Sequence, residues 1–166
     1  MEMEMINRLD AITLDNQKGR ALWHLGALLT FKAVGEETGN GFWALEGLAD
    51  KHMAVPLHAH SREDEIWYVL EGTIKFFVGS ETRIGTAGSF VYIPRYVPHT
   101  FQVISDTARW FGIGTPAGLD QWFFETGEPA QALTLPPPPA GPPDVEAIVA
   151  SLKAYGTDTL GPPPGL

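Results

Sequence analysis

An all-β fold, a sandwich or barrel of many short strands, is what this sequence predicts, and three observations carry it. Eight apolar and aromatic segments of six to eight residues follow one another between residues 27 and 114. The stretches between them hold the glycine, proline and small polar residues of turns. Within the segments the apolar side chains alternate, as in EIWYVL at 65–70, which is the period of a half-buried strand.

In chain order the segments are ALLTFKAV (27–34), GFWALEGL (41–48), MAVPLHAH (53–60), EIWYVL (65–70), TIKFFVG (73–79), SFVYIP (89–94), HTFQVI (99–104) and ARWFGIG (108–114). GEETGNG at 35–41, Gly79-Ser80 and GTAG at 85–88 mark turns. Glu71-Gly72 predicts a tight hairpin between 65–70 and 73–79. After residue 114 the composition changes. Thr115 reads as a helix cap with Pro116 at the first helical position, Leu119, Trp122 and Phe123 share one face, and Gly127 closes the helix. A stiff, extended linker follows at 136–143, PPPPAGPP. Asp144 caps a last helix whose stripe of Val145, Ile148, Val149 and Leu152 ends near Gly156. So short a helix is marginal alone and needs the barrel or a second subunit to pack on. One domain over 1–166 is expected, with a barrel core at 20–115 and a helical, proline-rich extension at 116–166.

Bulk properties narrow the function classes. A net charge of −9 disfavours phosphate-bearing partners, so neither nucleic acid nor an anionic membrane is expected. No apolar run reaches the roughly 20 residues of a membrane-spanning helix, and MEMEMINRLD lacks the basic and apolar parts of a secretory signal. The absence of cysteine excludes disulfides and thiolate chemistry, leaving His, carboxylate and water to build any metal site. A cytoplasmic location is the expectation.

The chemistry concentrates at HAHSREDE, residues 58–65. Residues two apart on a strand face the same way, roughly 7 Å apart along it, so His58 and His60 present two imidazoles to one ion. An isolated His-x-His also occurs on surface loops; Glu65 singles this one out. Glu65 shares a strand face with Trp67 and Val69, where a buried carboxylate is costly without a cation. Ser61 to Asp64 read as a turn, with Arg62, Glu63 and Asp64 solvated. His99, sharing a face with Phe101 and Val103, supplies a third imidazole. Three neutral imidazoles and one carboxylate leave two positions open on a six-coordinate ion, the mark of a catalytic site.

These residues resemble the cupin superfamily. His58, His60, Glu65 and Gly72 match its first motif, H-x-H-x4-E-x6-G, and Gly88, Pro94 and His99 match its second, G-x5-P-x-G-x2-H-x3-N. Tyr96 stands where that motif has glycine and Val103 where it has asparagine. The resemblance implies a double-stranded β-helix (jelly-roll) barrel with short C-terminal helices, holding one metal through His58, His60, Glu65 and His99. More narrowly, the chain from ALWHLGALLTFKAVGEETGN to TPAGLDQWFFETGEPA is similar to the single-domain quercetinases, the flavonol dioxygenases. That resemblance implies Glu65 as both ligand and base for the flavonol 3-hydroxyl, with dioxygen opening the ring and carbon monoxide lost. Ligand types leave the metal open among Ni, Mn, Co, Fe, Cu and Zn. Phe31, Trp43, Trp67, Phe101 and Trp110 are expected to line a flat apolar pocket. Trp67 and Phe101 are the substrate-binding candidates, since each shares a face with a proposed ligand. His24 and His52 match no motif and read as incidental. Two other readings stay open: a non-oxidative isomerase, cyclase or lyase using the metal as Lewis acid and Glu65 as base, and a small-ligand binding module. The expected partners are a small aromatic substrate, dioxygen and a second copy in a homodimer.

Overall fold

The computed structural model describes residues 9–53 and 55–163. The acidic start, residues 1–8, and Ala54 within the segment 53–60 lie outside the described residues. The strands are β1 (Arg20–His24), β2 (Ala27–Ala33), β3 (Trp43–Asp50), β4 (Leu57–His60), β5 (Asp64–Glu71), β6 (Thr73–Val78), β7 (Glu81–Thr86), β8 (Phe90–Ile93), β9 (His99–Val103), β10 (Thr107–Thr115), β11 (Glu128–Pro129) and β12 (Thr157–Gly161). Two helices, α1 (Leu119–Thr126) and α2 (Val145–Ala154), flank β11. No helix among the described residues is long and apolar enough to cross a membrane.

The strands form two antiparallel sheets, a seven-stranded one in the order β11-β1-β2-β3-β10-β5-β8 and a five-stranded one in the order β12-β4-β9-β6-β7. From β4 to β10 the chain keeps crossing between them, with β5, β8 and β10 in the larger sheet and β4, β6, β7 and β9 in the smaller. That exchange is the jelly-roll barrel, and its inward side chains meet in one core. Phe31, Val69, Ile74, Phe76 and Val103 are almost fully buried there, each contributing roughly 1.5–3 kcal/mol by leaving water.

The expected hairpin at Glu71-Gly72 does not form. β5 pairs with β10 and β8, whereas β6 pairs with β7 and β9. Gly72 alone joins the two strands, one residue fewer than the tightest common hairpin loop. It turns the chain from one sheet into the other with φ +78°, and an added Cβ would lie 2.3 Å from the Thr107 carbonyl oxygen. The Ser105 hydroxyl receives the Thr73 N–H that this corner leaves free, at 2.8 Å. The real hairpin is one strand later, where Gly79-Ser80 joins β6 to β7. β7 was not expected because its side chains are exposed apart from Gly85, so no apolar alternation marks it.

Two further corrections concern the C-terminal extension. Thr115 is no helix cap: it ends β10, paired with Asp64, and its hydroxyl donates to the Gly41 carbonyl at 2.8 Å. Helix α1 begins after Gly118, and the buried Asp120 carboxylate holds its start, accepting from the N–H groups of Gly118 and Gly35 at 2.8 Å each. Helix α2 does start at Asp144, whose carboxylate accepts from the Ala147 N–H at 3.0 Å. Its Ile148 and Leu152 pack on the core while Val145 stays exposed. Between them 136–143 lies in no helix or strand. After α2 the chain adds β12 to the edge of the smaller sheet beside β4.

Because Gly72 combines a left-handed backbone with a closed space, Gly72→Ala is expected to cost at least about 2 kcal/mol. Urea unfolding of the variant against wild type measures this.

Candidate metal centre

β4 and β9 lie side by side in the smaller sheet, with His58 directly opposite His99 in the register. His60, two residues along β4, faces the same way. The ligand atoms of His58, His60 and His99 all lie within 4.8 Å of one another. Glu65 reaches them from β5 in the other sheet. Its Oε1 is 3.4 Å from His60 Nε2 and its Oε2 3.1 Å from His99 Nε2. The four proposed ligands are therefore brought together, three from one sheet and one from the sheet facing it.

Each ring is held from behind. His58 Nδ1 donates to the Pro56 carbonyl at 2.8 Å and His99 Nδ1 to the Val97 carbonyl at 2.9 Å. A carbonyl can only accept, so in the neutral rings Nε2 is the bare nitrogen. His60 Nδ1 sits 2.9 Å from the Thr157 hydroxyl of β12 and 2.8 Å from Glu63 Oε1, the latter at ion-pair distance without hydrogen-bond alignment. His60 Nε2 is sealed from solvent and has no hydrogen-bond partner among the described residues. Ligating histidines are oriented in this way, their second nitrogen bonded to a carbonyl, hydroxyl or carboxylate. The donor set thus fits a divalent transition metal, and the orphaned His60 Nε2 is an atom that such an ion would satisfy.

Electrostatics follow from this crowding. Burial and the neighbouring imidazoles of His99 and His60 lower His58 to a pKa of about 4. Burial pulls His60 the same way, but the Glu65 and Glu63 carboxylates outweigh it and raise its pKa to about 10. Burial raises the Glu65 pKa, yet the His60 and His99 rings more than offset this and hold its carboxyl well below the usual range. Glu65 is therefore an ionised carboxylate inside an apolar site.

Two of the acids expected in solvent are not there. Glu63 is 2% exposed and turned onto His60. Carrying the alternation of Glu65, Trp67 and Val69 back two residues marks it as inward, a signal that the turn reading overrode. Asp64 binds Arg95, accepting from its backbone N–H and its Nε at 2.9 Å each. This ties the start of β5 to the turn before His99. At that turn Tyr96 takes up φ +68°, the glycine-like conformation, with an exposed ring, and its N–H donates to the His60 carbonyl at 2.6 Å. Val103, where the motif has asparagine, is 1% exposed and belongs to the core.

The centre opens into a cavity of about 140 Å³ between the sheets. Trp43, Trp67, Phe101 and Trp110 line it, but Phe31 does not: it is 2% exposed and packs behind them on Trp43, Phe123 and Phe124. Trp67 stacks on Trp110 at 5.1 Å and meets Phe101 at 4.7 Å, and its Nε1 points at Glu65 Oε2, 3.4 Å away. The large rings need flat seats. A Cβ on Gly47 would lie 2.2 Å from Trp110, and one on Gly114 2.2 Å from Trp43. The outer wall comes from the extension, as Leu119, Trp122 and Phe123 of α1, Ile148 and Leu152 of α2, and Thr157 and Thr159 of β12. No lysine or arginine lines the cavity among the described residues. His24 does line it, buried, with its Nε2 2.9 Å from the Thr126 hydroxyl, and so is not incidental. His52 is exposed and away from the centre.

Residues 45–114 match the family profile described as Cupin domain. Over 92 residues the chain is 32% identical to an uncharacterised protein of Streptomyces coelicolor, covering 87% of that protein and 49% of this chain. The chain belongs to the cupin family. This cupin is also 27% identical over 135 residues to quercetin 2,3-dioxygenase of Aspergillus japonicus. That match covers 76% of the chain but 35% of the dioxygenase, so this cupin spans about a third of that relative's length. Among solved structures it shares its fold with an RmlC-like cupin from Shewanella frigidimarina, at a TM-score of 0.57 and 20% identity over 68% of this chain and 96% of the other.

Burial holds His24 at a pKa of about 4, below the 6.5 of a free imidazole. Between those values the unfolded chain binds the extra proton, so stability is full above pH 6.5 and falls as the pH drops towards 4. A His24→Phe variant lacks this slope. Relative to it, wild type is expected to lose up to about 3 kcal/mol of unfolding free energy from pH 7 to pH 4, measured by urea titrations at both pH values.

Proposed function

We propose that this cupin is a mononuclear metal-dependent dioxygenase, quercetinase-like, acting on a flavonol or a similar aromatic enol. The observation that carries the reading is the set of three imidazoles and one ionised carboxylate at the wall of an aromatic cavity that no lysine or arginine lines among the described residues. A phosphorylated or carboxylated substrate would find no guanidinium or ammonium there, whereas a flat neutral ring finds matching faces. The partial match to a quercetin 2,3-dioxygenase supports the same direction.

In this reading His58, His60, His99 and Glu65 hold one ion among Ni, Mn, Co, Fe, Cu and Zn. That ion supplies a Lewis-acidic seat for the substrate's enolate oxygen and an electronic route to dioxygen. The chain's residues do the rest. Glu65, kept ionised by its imidazole neighbours, takes the proton of the enol hydroxyl. Trp67 and Phe101 form the slot beside it and fix the plane of the ring. Trp122, Phe123, Ile148 and Leu152 exclude water. Glu63 and Thr157 keep His60 aimed, so they are positioning residues. A homodimer has apolar surface available on the outer face of the larger sheet, where Tyr68, Phe90 and Tyr92 are exposed side by side.

Elemental analysis is expected to find a transition metal near one per chain in the wild type and none in His58→Ala or His99→Ala. Glu63→Gln should keep the fold, seen as an unchanged circular dichroism spectrum, and bind the metal 10- to 100-fold more weakly in chelator competition. Turnover is tested with quercetin and protein loaded with each metal in turn. Consumption of dioxygen with release of carbon monoxide is the expected result. If neither occurs with any metal, the dioxygenase reading is wrong, and turnover of an enol substrate that persists without oxygen would establish the non-oxidative alternative.

A further inference from the structure

His24 lies on β1 in the larger sheet, whereas the three imidazoles of the centre lie in the smaller one, yet all face the same cavity. Its hydrogen bonding fixes its tautomer. The Thr126 hydroxyl donates its single hydrogen to the Trp122 carbonyl at 2.7 Å, as any bond to a carbonyl requires. The contact between Thr126 Oγ1 and His24 Nε2 at 2.9 Å must then take its hydrogen from the ring. The neutral ring therefore carries its proton on Nε2, and Nδ1 is a bare acceptor.

That acceptor has no hydrogen bond among the described residues, and it is not one of the sealed unpartnered atoms of the core, so it keeps contact with open space. The ring is 6% exposed and clamped edge-on by Trp122 at 4.7 Å and Phe123 at 5.2 Å. An oriented acceptor, inside an apolar wall and backed by a relay that cannot reverse, is what recognition of a hydroxyl group requires. A site built this way discriminates against a ligand lacking the hydroxyl, because its own polar atom is then left dry.

We propose that His24 Nδ1 accepts a hydrogen bond from a phenolic hydroxyl of the substrate, making it a specificity-determining residue for hydroxylated rings. As a substrate assignment this rests on the aromatic-enol reading above, which it sharpens to a substrate with a hydroxyl on the ring away from the metal-binding oxygen. A cavity of about 140 Å³ is comparable to one that takes up a single benzene ring, so one-ring probes reach the site whatever the full substrate is.

The experiment measures dissociation constants of phenol and toluene with metal-loaded protein, from the fluorescence of the cavity tryptophans. Wild type is expected to prefer phenol to toluene, and His24→Phe to reduce that preference about 3- to 10-fold, the worth of one hydrogen bond. Comparing the ratio of the two ligands between proteins removes changes in cavity shape that affect both alike, and the same titrations on metal-free protein remove phenol bound directly at the metal. Thr126→Val is the second variant. It leaves the ring in place but removes the acceptor that fixes its tautomer, so it too should lower the ratio, while toluene affinity stays within about 2-fold. Equal ratios in wild type and both variants, or no phenol preference in wild type, would overturn the assignment. Failure of quercetin turnover with an intact His24-dependent ratio would sink the dioxygenase reading alone.

Discussion

Glu65 is the constraint around which the rest of the molecule is arranged. A carboxylate 7% exposed among tryptophans is costly unless polar partners surround it. The fold supplies them by crossing from sheet to sheet: β4 and β9 bring His58, His60 and His99 to one face, and β5 brings Glu65 to the opposing one. Neither sheet could build the centre alone. The corner at Gly72, the Asp64–Arg95 pair and the turn at Tyr96 each fix where one of these strands begins or ends. They are geometry in the service of one carboxylate.

The turn before His99 shows how a motif can be kept in shape while its residue changes. Glycine at that place serves a left-handed backbone. Tyr96 adopts the same conformation at φ +68°, a cost of roughly 1–2 kcal/mol. Its N–H still binds the His60 carbonyl, linking the two ligand strands through main chain, and its ring points outward where it disturbs nothing. The identity of the side chain mattered less than the torsion it had to accept.

Strand positions and the four convergent side chains were legible because each rests on a local rule. Alternation gives the face, His-x-His gives two donors on that face, and Gly72 gives a tight corner. What that corner joined was not legible. Hairpin and sheet crossing share the same glycine, and only the pairing of β5 with β10 and of β6 with β9, both distant along the chain, decides between them. β7 escaped notice because a solvated edge strand needs no apolar pattern. His24 escaped because its significance depends on Thr126, 102 residues away. Glu63 was within reach, since its parity with Glu65 is visible in the sequence, but a run of polar residues after a strand suggests a turn more strongly than a continued face.

The cavity is assembled from two parts of the chain with different relations to the family. The profile match ends at residue 114, before Leu119, Trp122, Phe123, Ile148, Leu152, Thr157 and Thr159. Those residues form the outer wall, and Thr157 backs His60 as well. Kinship measured over the barrel therefore tracks the half that carries the candidate metal centre, and the exchangeable half lies in the segment that wraps over it. Grafting another cupin's C-terminal segment onto this barrel, with the Thr157 position retained, is the natural way to redirect what the protein accepts. Retaining the segment and altering the barrel would instead change what it holds.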